Sequence, residues 1–121
     1  VTHSLGSITL LNYLEQLDPL PSFGGFILVS GFSESLSSLP SLNPFTVKEV
    51  DYKKIISATH SRAVIAAKDD SIVPFQFSQS LSKQLNTSFY PVEKGGHFLE
   101  DDGFFTFPLV HDVLNNMMKT G

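Results

Sequence analysis

Cysteine is missing from this sequence altogether. Its absence excludes disulfides, thiolate metal sites and cysteine nucleophiles, and it fits a reducing compartment, with the cytoplasm as the default expectation. Basic residues are few: eight Lys and Arg stand against twelve Asp and Glu, for a formal net charge of -4. They are scattered along the chain, so the electrostatic footprint of a nucleic-acid partner is lacking. No apolar run approaches the ~18 to 20 residues of a membrane helix, and the first residues show neither the charged n-region nor the apolar h-region of a signal peptide. The expectation is a soluble protein with no nucleic-acid and no membrane partner.

What is present suits one core. With 121 residues and 41% hydrophobic content, the chain can form one compact domain but not two ordinary ones. It opens on Val1 rather than Met, in what reads as the last residues of a strand. Residues 1-121 are therefore expected to be a single domain whose N-terminal strands are missing.

Breakers and apolar periods divide the chain. Ile8, Leu11, Leu14 and Leu17 fall at helical spacing, with Pro19 and Pro21 beyond them, and predict a helix over about Leu5 to Leu17. Phe26 to Val29 is a continuous apolar run of strand length, as in a parallel sheet covered on both faces. Asp51 can cap a short helix reaching Thr59, and Arg62 to Ala67 supplies a second buried strand. After Val73-Pro74 comes a helix with Phe75, Phe77, Leu81 and Leu85, then a strand over Ser88 to Val92. Pro108 suits the first turn of a last helix, with Leu109, Val110, Val113, Leu114, Met117 and Met118 as its core stripe. Alternating strands and helices imply an α/β three-layer architecture with a parallel sheet flanked by helices. Ser33 to Pro44, rich in Ser, Leu, Pro and Asn, is irregular; a lid over a pocket and a solvated connection both remain open.

Function in an open parallel sheet gathers at the carboxyl ends of the strands. Ser4, Asp70 and His97 occupy three such positions, in the chain order of the α/β-hydrolase triad. A serine hydroxyl needs a neutral imidazole to take its proton, so His97 would be the base, with Asp70 fixing its tautomer. The backbone N-H of Leu5, at the start of the helix, would supply one oxyanion donor. Thr2 stands where the G-x-S-x-G pattern has its first glycine, while Gly6 would let the turn pack closely. A helix-capping serine is the alternative for Ser4, and a turn former or cap the alternative for Asp70.

The segments HSLGS, VSGF, AVIAAKDDSIVPFQFSQSL and VEKGGHFLEDDGFFTFPLVHDVL resemble the small serine hydrolases grouped with retinoblastoma-binding protein nine and its bacterial relatives, in the α/β-hydrolase superfamily. The resemblance covers nearly the whole chain and is closest from Ala63 to Leu114. It implies Ser4 as nucleophile, His97 as base and Asp70 as acid, since the interval to His97 suits Asp70 better than Asp69. It also implies that further strands precede the elbow, with the loop that completes the oxyanion hole. The chain would then be a C-terminal portion, poorly active alone, with an exposed sheet edge through which it associates. The partner expected of the intact protein is a small-molecule acyl substrate, such as a carboxylic ester handled through an acyl-enzyme. No cofactor and no metal are needed.

Other residues carry weaker signals. His3 is adjacent to Ser4 but points to the other strand face, which favours packing or hydrogen bonding over a base role. His60 and His111 read as surface or helix histidines. Asp69 either steadies the loop around Asp70 or faces water, and Glu100, Asp101 and Asp102 read as a solvated acidic turn rather than a cation site. Among the eleven phenylalanines, Phe32, Phe98, Phe104, Phe105 and Phe107 are candidates for an acyl-pocket wall, with core packing as the alternative for most of them, and Phe32 and Phe98 are the substrate-binding candidates for the site rim. The same triad serves acyl transfer, which stays open. So does a catalytically inactive hydrolase-fold binding module using the Ser33 to Pro44 segment; the family's retinoblastoma-binding L-x-C-x-E motif needs a cysteine that this chain lacks.

Overall fold

The computed structural model describes residues 1-34, 36, 50-103 and 106-120. Four parallel strands, β1 (Thr2–His3), β2 (Phe26–Val29), β3 (Arg62–Ala67) and β4 (Ser88–Val92), pair in strict sequence order. Helices α1 (Leu5–Gln16), α2 (Tyr52–Ala58) and α3 (Phe75–Leu85) connect them, and α4 (Pro108–Thr120) follows a short 3-10 turn over Glu100–Asp102. The register sets Thr2 beside Leu28, Leu28 beside Val64 and Val64 beside Phe89.

The layering follows from handedness. Parallel neighbours joined in order by crossovers of one hand must carry all three connecting helices on the same face. Leu11 and Leu14 of α1, Ile55 of α2, and Leu81 and Leu85 of α3 accordingly share one core with Phe26, Leu28 and Val64 of the sheet. The alternate strand residues Ile27, Val29, Ala63, Ile65 and Ala67 point the other way, against Val113 of α4 and Phe98. This is why β2, and β3 after Arg62, read as unbroken apolar runs: both of their faces are covered.

The last helix departs from its expected stripe. Val113 is buried, and Leu109, Val110 and Met117 pack on the sheet, but Leu114 is 39% and Met118 71% exposed. Each follows an inward residue by one position, and one step of about 100° carries it off the sheet-facing line. At the start of α2 the expected cap forms, with the Asp51 carboxylate accepting from the Lys54 N-H at 3.3 Å. Of the irregular segment, Ser33, Glu34 and Leu36 are described; the rest of Ser33 to Pro44 lies outside the described residues, as do Phe104 and Phe105. Among the described residues no helix is long and apolar enough to cross a membrane.

Candidate active site

At the carboxyl end of β1 the chain turns abruptly into α1. Ser4 makes this turn with φ 56 and ψ -120, a left-handed conformation that a non-glycine residue holds only where its surroundings enforce it. Enforcement comes from the Ser4 N-H, which donates to the Val29 carbonyl at 2.8 Å, and from a 2.9 Å hydrogen bond between the Thr2 and Ser7 hydroxyls. Thr2 thus ties strand to helix across the elbow. The Ser4 side chain makes no helix-capping hydrogen bond, so the capping alternative fails. Gly6 is less constrained than its motif position suggested, since a Cβ there would lie 3.5 Å from Thr2, an ordinary contact. The N-H of Leu5 heads α1, among the first four donors that a helix cannot satisfy internally.

Asp70 follows β3 in a tight turn. One carboxylate oxygen accepts the N-H groups of Ile72 at 2.8 Å and Val73 at 2.9 Å; the other lies 2.9 Å from Nδ1 of His97. Both side chains are buried, at 2% and 7% exposure. Burial is the largest single influence on Asp70 and pushes its pKa up, but the His97 hydrogen bond, the Val73 and Ile72 N-H groups and the imidazole's attraction together hold it below the ordinary value. An ionised carboxylate only accepts, so the proton between the two sits on Nδ1. The Nε2 lone pair of a neutral His97 is thereby left to take a proton.

The loop carrying His97 is held mainly through its backbone. Asp69 accepts from the N-H groups of Gly95 at 2.9 Å and Gly96 at 2.8 Å, and these bonds keep its carboxyl below the ordinary value. Asp69 therefore steadies the histidine loop. Asp102 accepts from the N-H groups of His97 at 3.1 Å and Leu99 at 3.2 Å. This corrects the reading of the acidic turn as merely solvated. Gly96 adopts φ +56, a conformation that favours glycine, and a Cβ on it would meet the Asp102 carboxylate at 2.5 Å and displace it.

The loop extends from β4 over the ends of β3 and β2 to reach β1. There Nε2 of His3 lies 2.7 Å from the carbonyl oxygen of His97, with the two rings 4.6 Å apart and tilted by 44°. Through this contact the imidazole of His97 comes beside the residue adjoining Ser4. Ser30, at the end of β2, has φ 51 and is fully buried, and its hydroxyl has no hydrogen-bond partner among the described residues. Sequence reasoning missed it, because a serine after an apolar run reads as a turn.

The two rim candidates differ. Phe98 is buried against Phe107, their centroids 4.8 Å apart, and both line a cavity of about 400 Å³ with His3, Val29 and Val110. Phe32 has no exposed surface and packs with Ile8, Leu36 and Val73, so it backs the site from within the core instead of forming its rim. Leu5 joins that cluster through its side chain. His60 and His111 are exposed. A larger cavity of about 710 Å³ is lined by Gly25, Phe26 and Ser61, at the amino ends of the strands, away from this chemistry.

Comparison with known proteins gives consistent results. A family model described as Serine hydrolase matches residues 1–116. The chain is 51% identical over 116 residues to "Putative hydrolase YdeN" of Bacillus subtilis (strain 168), covering 96% of this chain and 61% of that protein. The crystal structure of the ydeN gene product from B. subtilis superposes with a TM-score of 0.93 at 50% identity, over 97% of this chain and 63% of that one. The chain thus spans about three fifths of the length of the relatives it matches.

Proposed function

This chain belongs to the serine hydrolase family, and from that premise we propose that Ser4, His97 and Asp70 form the triad of a hydrolase acting on small carboxylic esters or related acyl substrates. One observation carries the reading. The buried 2.9 Å pair of His97 and Asp70 fixes an imidazole whose ring lies 4.6 Å from that of His3, the residue before the strained Ser4 elbow.

Nε2 of His97 takes the Ser4 proton as Oγ attacks the carbonyl carbon, and Asp70 stabilises the imidazolium that forms. The tetrahedral oxyanion accepts the Leu5 N-H at the positive end of α1. Collapse of that intermediate expels the alcohol, which takes the proton from His97 and leaves an acyl group on Ser4. Water, activated in the same way, then releases the acid.

The test is labelling with a fluorophosphonate and location of the adduct by peptide mass spectrometry. Ser4 is expected to carry the adduct, and the Ser4→Ala protein to remain unlabelled. A folded protein that takes no label, or takes it elsewhere, overturns the assignment. For turnover, p-nitrophenyl esters from acetate to octanoate are the substrates to screen.

A further inference from the structure

His97 has a hydrogen-bond partner on each side of its main chain, and both partners are side chains. Its N-H goes to Asp102 at 3.1 Å and its carbonyl oxygen to Nε2 of His3 at 2.7 Å. A carbonyl can only accept, so Nε2 of His3 carries a proton. The backbone just beyond is strained, with Phe98 at φ 55. A left-handed, non-glycine residue next to His97 will not hold the imidazole's direction unaided.

We propose that His3 is a positioning residue for His97: its Nε2-H, donated to the His97 carbonyl, seats the end of the histidine loop on β1 and so aims the imidazole between Asp70 and Ser4. The role rests on the triad reading for its catalytic meaning, but its structural content is independent of it. Among the described residues the hydrogen bond of His3 goes to the His97 carbonyl and not to Asp70 or to the His97 imidazole, against whose ring its own lies at 4.6 Å. His3 acts through the peptide group of His97, and it is rigidly coupled to the nucleophile because Ser4 is the next residue in the chain. Serine and base are thus indexed to one another by a single hydrogen bond.

Three substitutions separate the donor from the ring. His3→Gln places an amide N-H close to where Nε2 stands, His3→Phe keeps a ring without a donor, and His3→Ala removes both. The readouts are the rate of Ser4 labelling by a fluorophosphonate, the thermal midpoint, and the NMR signal of the His97 Nδ1 proton shared with Asp70. His3→Gln is expected within about threefold of the parent rate, whereas His3→Phe and His3→Ala lose roughly ten- to a hundredfold, the scale set by a small misplacement of a reacting group. The Nδ1 signal should survive in the Gln protein and broaden or vanish in the other two. Equal rates in the Phe and parent proteins, or equal losses in all three, overturn the proposal. If the parent protein takes no label, the triad reading fails, and the Nδ1 signal alone decides whether His3 positions His97.

Discussion

At the scale of single residues, Asp70 has two separable duties. One oxygen orders its own turn through Ile72 and Val73, and the other fixes the His97 tautomer. Asp70→Asn retains an acceptor for the turn, but its amide can donate to Nδ1 and favour the opposite tautomer. The expected result is a folded protein whose Ser4 acylation is slower by about 10⁴-fold, the scale for this change in a serine triad. Rates within tenfold of the parent would show that the carboxylate is not needed. The sign of the pH effect follows from the lowered pKa of Asp70. Its stabilising contribution is complete above the unfolded value of about 3.9 and is lost as pH falls through the lower folded value. Thermal midpoints of the parent and Asn proteins should therefore differ at pH 7 and converge as pH falls through the lowered folded value. A constant gap would assign the effect to packing.

Among the elements, the histidine loop depends most on backbone chemistry. Gly96→Ala introduces a Cβ into a left-handed residue and against the Asp102 carboxylate. Strain at such a position costs about 1 to 3 kcal/mol, and displacement of Asp102 frees the His97 N-H. Urea denaturation should show a loss in that range, with the His97 amide resonance shifted; an unchanged midpoint would mean that the loop relaxes without cost. The central strands β2 and β3 were readable in the sequence because they are runs of apolar residues, with Gly24 and Gly25 as breakers before Phe26. Helix starts were readable at Asp51 and Pro108 for reasons of capping and fixed φ. The loop's clamps were not. Asp69 and Asp102 bond backbone N-H groups, which leave no mark in a sequence, and an acidic turn has the same composition whether it binds its own chain or water. The departure of Leu114 and Met118 has a similar origin, since periodicity marks an apolar stripe without giving the width of the surface that receives it.

At the scale of the whole molecule, the two margins of the sheet are unlike. β4 carries Pro91, which has no N-H to offer a further strand. β1 has one neighbour among the described strands and no such residue. We propose that, in a protein made of these 121 residues, this margin accepts another strand, so that association through β1 is concentration-dependent. Sedimentation velocity across a wide concentration range checks this, and a single monomer boundary throughout would refute it. The central core, by contrast, is closed on both faces by helices from all parts of the chain.

The course of the histidine loop has a consequence for how the site responds to distant change. The loop behaves like a bridge with one abutment on the β3 turn, at Asp69 and Asp70, and the other on β1, at His3. Between those supports lie two gaps between strands, each about 4.8 Å wide. Any alteration in twist or width within the sheet moves the abutments relative to each other, and the error is delivered at His97, where tolerance is smallest. A trimmed side chain beneath β2, such as Leu28, would then register in the alignment of His97 with Ser4 as well as in the melting of the fold.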